Sequence, residues 1–287
     1  MRNIIGKRFV FLTFSGTLVL VSILAVTFLG LKQGVDFTGG TVWQLHGNGL
    51  DANKIQQIIP NSTVTFQSSD NSYIVRAVEM SEAEHQDRLT KLKESVSSTE
   101  ELKFETIGPV IGRELKSKAL WAFILVLVGI SLYIAFAFRK VSKPISSWKY
   151  GLITLLTLFH DAIIPTGMVA ILGKLFNVEI DTNFIVAILV VMGFSVHDTI
   201  VVFDRIRENL RLIGGRVTDF NALVNKSINE TLARSINTSL TLVLVLVALY
   251  FLGASASSNF ILVILVGTIF GTYSSIFVAS PLLTLIK

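Results

Sequence analysis

The stretch whose reading decides the fold is residues 193–209, Gly-Phe-Ser-Val-His-Asp-Thr-Ile-Val-Val-Phe-Asp-Arg-Ile-Arg-Glu-Asn. It begins inside an apolar run that opens near Phe184 and leaves that run at Asp204. Such a run is long enough to cross ~30 Å of hydrocarbon as a helix, at ~1.5 Å per residue. His197 and Asp198 therefore stand where a membrane span is otherwise apolar. A carboxylate there costs at least about 2.5–3.5 kcal/mol, so Asp198 needs a partner or a use.

The same length argument applied outward gives six spans, at 9–30, 119–138, 150–172, 183–203, 235–252 and 260–286. The composition agrees: 51% hydrophobic, 16% charged, with a mean hydropathy of +0.65. That describes an α-helical polytopic membrane protein. Cysteine is absent, which excludes a disulfide framework and a thiolate metal site but leaves the redox compartment open. The first run follows Arg2, Lys7 and Arg8 and has no small-residue cleavage site after it, so it reads as an uncleaved span.

Basic residues in the short segments set an expected orientation. Arg2, Lys7 and Arg8 precede the first span; Arg139, Lys140, Lys143 and Lys149 separate the second and third. Arg205, Arg207, Arg211, Arg216 and Lys226 separate the fourth and fifth, and Lys287 ends the chain. The alternate short connections hold only Lys174. Both termini are expected in the cytoplasm and 31–118 on the far side. This distribution accounts for the net charge of +5 without nucleic-acid binding.

Region 31–118 reads as a small α+β domain between helices 1 and 2. Strands are expected at Thr41–His46, Thr63–Phe66, Tyr73–Val78 and Glu101–Ile107, with a hairpin turn at Ser68–Ser72. A helix starts on Asp51 and stops at Pro60; a second, Ser81–Val96, opens with the capping-box pair Ser81 and Glu84. The order βαββαβ is that of the ferredoxin-like arrangement. The chain thus divides into 1–30, 31–118 and 119–287. Segment 204–230 is read as charged and amphipathic: the i,i+3 pairs Asp204–Arg207 and Arg205–Glu208 prolong the fourth span, Gly214-Gly215 breaks it, and Thr218–Lys226 forms an interfacial helix.

Three spans carry polar residues at helical spacing. In the fifth, Ser227, Glu230, Thr231, Arg234, Asn237, Thr238 and Thr241 follow by threes and fours, and the span beyond is apolar. In the third, Thr154, Thr157 and Asp161 form a shorter stripe. Asp198 and Arg234 lie at depths that let them face each other, or Arg234 snorkels to the surface; both readings fit the spacing. His160 and His197 read first as interhelical hydrogen-bonding groups, and His197 also as a second proton carrier. In the sixth span Gly267, Gly271, Ser275 and Ala279 repeat every four residues, a small-residue face for close packing, and Gly193 is read the same way in the fourth. No Gly-x-Gly-Asp surrounds Asp161 or Asp198, the His-Asp pairs lack further metal ligands, and no P-loop occurs, so neither catalysis, a metal nor a cofactor is expected.

The motifs together resemble the SecF family of bacterial protein-export membrane subunits. The resemblance rests on Gly34–Thr41, Ile107–Leu115, His160-Asp161, Gly193–Asn209, Arg234–Ser239 and Gly271–Pro281, in the family's order along the whole chain. It implies membership of the resistance-nodulation-division superfamily and a pseudo-symmetric unit formed with SecD beside the Sec translocon channel. It also implies proton flow that moves the extracytoplasmic domain and helps draw unfolded polypeptides across the inner membrane. The family's span-four aspartate maps onto Asp198 and its span-five arginine onto Arg234; His197, Asp161, Asn237 and Thr238 are further proton-coupling candidates. A single set of six spans beginning at Met1 resembles a free-standing SecF rather than a SecD–SecF fusion. The competing expectations are a small-molecule exporter of the superfamily and a passive assembly scaffold.

Overall fold

The computed structural model describes residues 2–67, 71–139, 145–213, 218–252 and 258–286. The chain forms two compact units.

One unit comprises Gln33–Leu120 with Glu179–Thr182. After a short helix α2 (Val35–Thr38) come β1 (Gly40–His46), α3 (Ala52–Ile58), β2 (Thr63–Gln67), β3 (Ser72–Ala77), α4 (Glu82–Ser95) and β4 (Glu100–Ile107). The strands form one sheet in the order β2-β3-β1-β4, all antiparallel, as βαββαβ ferredoxin-like topology requires. Alternation buries Trp43 and Leu45 of β1 with Ile55, Ile59 and Leu92 of the helices. Both helix starts are capped as their sequences dictate. Asp51 accepts from the Lys54 N–H at 2.8 Å, and Ser81 and Glu84 close a reciprocal capping box. The Ser81 N–H, donating to Glu84, holds that carboxyl below its usual range. Residues 68–70 of the expected hairpin turn lie outside the described residues.

The Gly39-Gly40 pair needs its glycines. Their φ angles are +77° and +127°, and a Cβ on Gly39 would stand 2.7 Å from the Pro109 backbone. Asp36 accepts from the Thr182 N–H at 2.8 Å and its hydroxyl at 2.6 Å. A carboxylate remote in sequence thus caps the helix that begins at Thr182.

The other unit holds Met1–Lys32, Trp121–Val178 and Asn183–Lys287. Six helices are long and apolar enough to cross a membrane: α1 (Arg8–Leu29), α5 (Pro109–Ala137), α6 (Ser147–Phe176), α7 (Thr182–Leu212), α8 (Phe220–Leu252) and a last one built of α9 (Ser258–Ser274), a π-turn (Ser275–Ala279) and α10 (Ser280–Leu285). Small residues set the crossings. A Cβ on Gly151 would meet the Ser131 carbonyl at 2.6 Å, one on Gly167 would overlap Ser22, and one on Gly267 would overlap Val191. Near one end Phe138, Tyr150 and Phe203 pack ring on ring.

Two expectations about the connections differ from the structure. Helix α5 starts at Pro109, ten residues before the apolar run at 119, because proline suits a first helical position and the Glu114–Lys118 pair supports the polar turns. No separate interfacial helix covers Thr218–Lys226: from Phe220 onward those residues are the first turns of α8. Phe220 and Val224 are buried against the bundle, so the helix has no reason to break. The Asp204–Arg207 and Arg205–Glu208 pairs are formed on the last turns of α7. Gly214-Gly215, Lys140, Lys143, Arg216 and Lys287 lie outside the described residues.

Candidate functional site

Helices α7 and α8 run antiparallel with their polar sides together. The Asn209 amide donates to Ser227 Oγ at 2.9 Å, and Arg205 reaches Glu230 at 2.7 Å. Further in, Ser239 Oγ donates to Asp198 Oδ2 at 3.5 Å. The buried side of α8 repeats every four residues, Ser227, Thr231, Ser235 and Ser239. This is one helix face, because four residues of an α-helix nearly close a turn.

Asp198 is 2% exposed and its surroundings are hydroxyls. The Ser239 hydroxyl approaches it at 3.5 Å while also lying 2.8 Å from the Ser235 carbonyl, and Thr272 of α9 donates to Ser239 at 2.5 Å. Ser235 lies beside it without a hydrogen bond of good geometry. Among the described residues no cation pairs with it.

Asp161 of α6 is fully buried and also sits among hydroxyls. Its Oδ2 accepts from Ser195 of α7 and from Ser274 of α9 at 2.7 Å. Its Oδ1 lies 2.7 Å from Nδ1 of His160, whose Nε2 is buried without a partner. Pro165, four residues on, has no N–H for the Asp161 carbonyl. Ser274 is the last residue before the π-turn, where the ladder widens and the Ser280 hydroxyl donates to the Ser275 carbonyl at 3.1 Å. Ser195 and Asp198 are one turn apart on α7, so one helix serves both carboxylates. Gly271 makes this possible: a Cβ there would stand 3.0 Å from Cβ of Ser195.

The expected Asp198–Arg234 pair is not formed. Arg234 is exposed, as are Asn237, Thr238 and Thr241, and the Thr238 hydroxyl donates to the Arg234 carbonyl at 2.8 Å. The physical reason is one residue of helix phase. Ser235 occupies the buried position, and Arg234 is turned about 100° away from it. His197 is exposed for the same reason beside Asp198, and Gly193 faces outward with open space where a Cβ would be. Gly267, Gly271 and Ser275 are buried, the first two against α7. Ser235, Ser239, Thr272 and Ser274 were not singled out as site residues. Their signal is the four-residue hydroxyl register of α8 and the paired Thr272 and Ser274. Among the described residues no three His, Cys, Asp or Glu side chains converge as a metal site would need.

Six helices long and apolar enough to cross a membrane, a small ferredoxin-like unit after the first, and carboxylates among hydroxyls inside the bundle define a multi-pass membrane protein. Residues 87–287 match the family "Protein export membrane protein SecD/SecF, C-terminal" and residues 24–45 match the SecD/SecF GG motif. Protein translocase subunit SecF of Thermobaculum terrenum is 40% identical, over 99% of this chain and 93% of its own. Its counterpart from Sebaldella termitidis is 36% identical, over 99% and 92%. The crystal structure of the translocon-associated membrane protein SecDF from Thermus thermophilus aligns with 99% of this chain at 32% identity and a TM-score of 0.84; the chain spans 38% of that longer chain. The chain belongs to the SecD/SecF family of protein-export membrane proteins.

Proposed function

We propose that the chain is an accessory subunit of the Sec translocation machinery, working with SecD, and that Asp198 takes up and releases the protons whose flow drives late translocation. The observation that carries this reading is the hydroxyl cradle of Asp198. A hydroxyl donates to a carboxylate and accepts from a carboxylic acid, so Ser239 and Thr272 can serve both protonation states by turning an O–H. A fixed cation would favour one state only. Loss or gain of the proton re-forms bonds that join α7, α8 and α9, which gives the charge change a mechanical outlet.

Arg234 has a different place in this reading. An exposed cation and three exposed polar side chains on an apolar span need cover, and we assign that cover to the sister subunit, whose acidic group Arg234 would meet. The association is supported by Protein translocase subunit SecDF of Thermus thermophilus, 36% identical over 93% of this chain and 36% of its own, where both names share one polypeptide. The end of the bundle bearing Arg2, Lys7, Arg8, Arg139, Lys149, Arg205, Arg207 and Arg211 is taken as cytoplasmic, which puts 31–118 outside. There that domain would meet the unfolded polypeptide leaving the channel. Replacement of Asp198 by Asn tests the reading. Gradient-dependent export into membrane vesicles should fall to the level without a gradient while the subunit still assembles; unchanged export would refute it.

A further inference from the structure

At the basic end of the membrane unit a cavity of about 580 Å³ opens between α1, α8 and α9, within the ~300–1,000 Å³ of small-ligand sites. Its wall is apolar, with Phe11, Ile269 and Phe277 among its lining. Arg2 and Lys7 also line it; both are exposed, and neither makes an ion pair among the described residues. The backbone of Arg2 is fixed: its N–H donates to Asn229 Oδ1 at 2.8 Å and its carbonyl accepts from the Asn229 amide at 2.9 Å. The strap is held again where the Ile4 N–H meets Asn225 at 2.8 Å. Thr272 lines the inner part of the cavity and touches Ser239. Ser239 lies ten positions beyond Asn229 on α8, or about 15 Å at ~1.5 Å per residue.

An apolar slot of that reach with two unpaired cations on the same cavity, at the basic end of an otherwise lipid-facing bundle, complements one kind of molecule. We propose that it binds an anionic phospholipid, with the phosphate on Arg2 and Lys7 and an acyl chain along Phe11, Ile269 and Phe277. The acyl chain then passes Thr272 on its way to Ile269, one turn further in on α9, and keeps water from that side of the hydroxyls beside Asp198. The geometry of the slot carries the proposal, whatever the role of Asp198.

The test uses the full chain exchanged into vesicles of equal parts dioleoyl phosphatidylglycerol and dioleoyl phosphatidylcholine, followed by native mass spectrometry. The wild type should retain phosphatidylglycerol in preference to phosphatidylcholine. Arg2→Gln with Lys7→Gln should reduce that preference about fivefold per basic residue removed, about 25-fold for the pair. Ile269→Trp, at the half-exposed inner end of the slot, should fill it and abolish retention of either lipid with the fold intact. Equal retention of both lipids by the wild type, no retained lipid at all, or an unchanged preference in the Arg2/Lys7 variant would overturn the proposal.

Discussion

Asp161→Ala is a perturbation whose cost can be worked from the structure. The carboxylate accepts hydroxyls from two other helices, Ser195 of α7 and Ser274 of α9. Interhelical hydrogen bonds in membrane proteins average ~0.6 kcal/mol and reach ~1.7, so two are worth about 1–3.5 kcal/mol. The emptied site adds on the order of 1 kcal/mol, since the junction is fully packed. The variant should therefore lose about 2–4 kcal/mol. Asp161→Asn is the informative control. Its carbonyl oxygen can keep both serine hydroxyls while its amide donates to Nδ1 of His160 in the accepting tautomer, at a cost below ~1 kcal/mol. Unfolding of the purified chain in mixed micelles, followed by helix ellipticity, separates the two. If alanine and asparagine destabilise equally, the hydroxyl bonds do not hold the junction. If alanine stabilises, Asp161 is a tolerated burden rather than a clasp.

Other positions give sharper contrasts. Gly267→Leu must displace Val191, and overpacking of about 1–3 kcal/mol or more should show as loss of monodisperse protein, whereas Gly193→Ala, pointing into open space, should change stability by less than ~0.5 kcal/mol. Asp36→Ala removes the remote cap of α7 and should cost about 0.5–2 kcal/mol, read as faster amide exchange in the turn after Thr182; unchanged exchange would deny the cap. Because the Ser81 N–H and hydroxyl hold Glu84 below its usual value of 4.5, the cap's contribution is present above that pH and is lost as pH falls through the lower folded value. Protection of the first amides of α4 should follow that course in the wild type and be insensitive to it in Glu84→Gln, which no longer titrates.

The spans and the ferredoxin-like unit were legible because each is written in a strong local signal. Long apolar runs with at most an isolated charge mark the spans, and Asp51, Pro60 and the Ser81–Glu84 box mark element ends. The helix ends were less so. Helical pairing carries α5 back to Pro109 and burial of Phe220 and Val224 carries α8 through, and neither effect shows in hydropathy. Asp161 and Asp198 stood out as carboxylates in apolar context, but their true neighbours did not. A Ser or Thr in a helix ordinarily bonds its own carbonyl four residues back, as Thr154 and Thr231 do, and so reads as neutral. Spacing by threes and fours also spans more than one face. It could not separate Arg234 from Ser235, and the strict four-residue register of Ser227, Thr231, Ser235 and Ser239 was the finer signal.

Proton flux tests the central claim most directly. Proteoliposomes containing the chain with its sister subunit, loaded with a pH-sensitive dye and given an imposed pH gradient, should acidify or alkalinise at a rate that Asp198→Asn reduces to that of empty liposomes. Ser239→Ala should slow the flux without abolishing it, because Thr272 stays within reach of the site. Full flux through the Asp198→Asn protein would contradict the account, since the proton would then cross without the carboxylate that α7 places among the hydroxyls of α8 and α9.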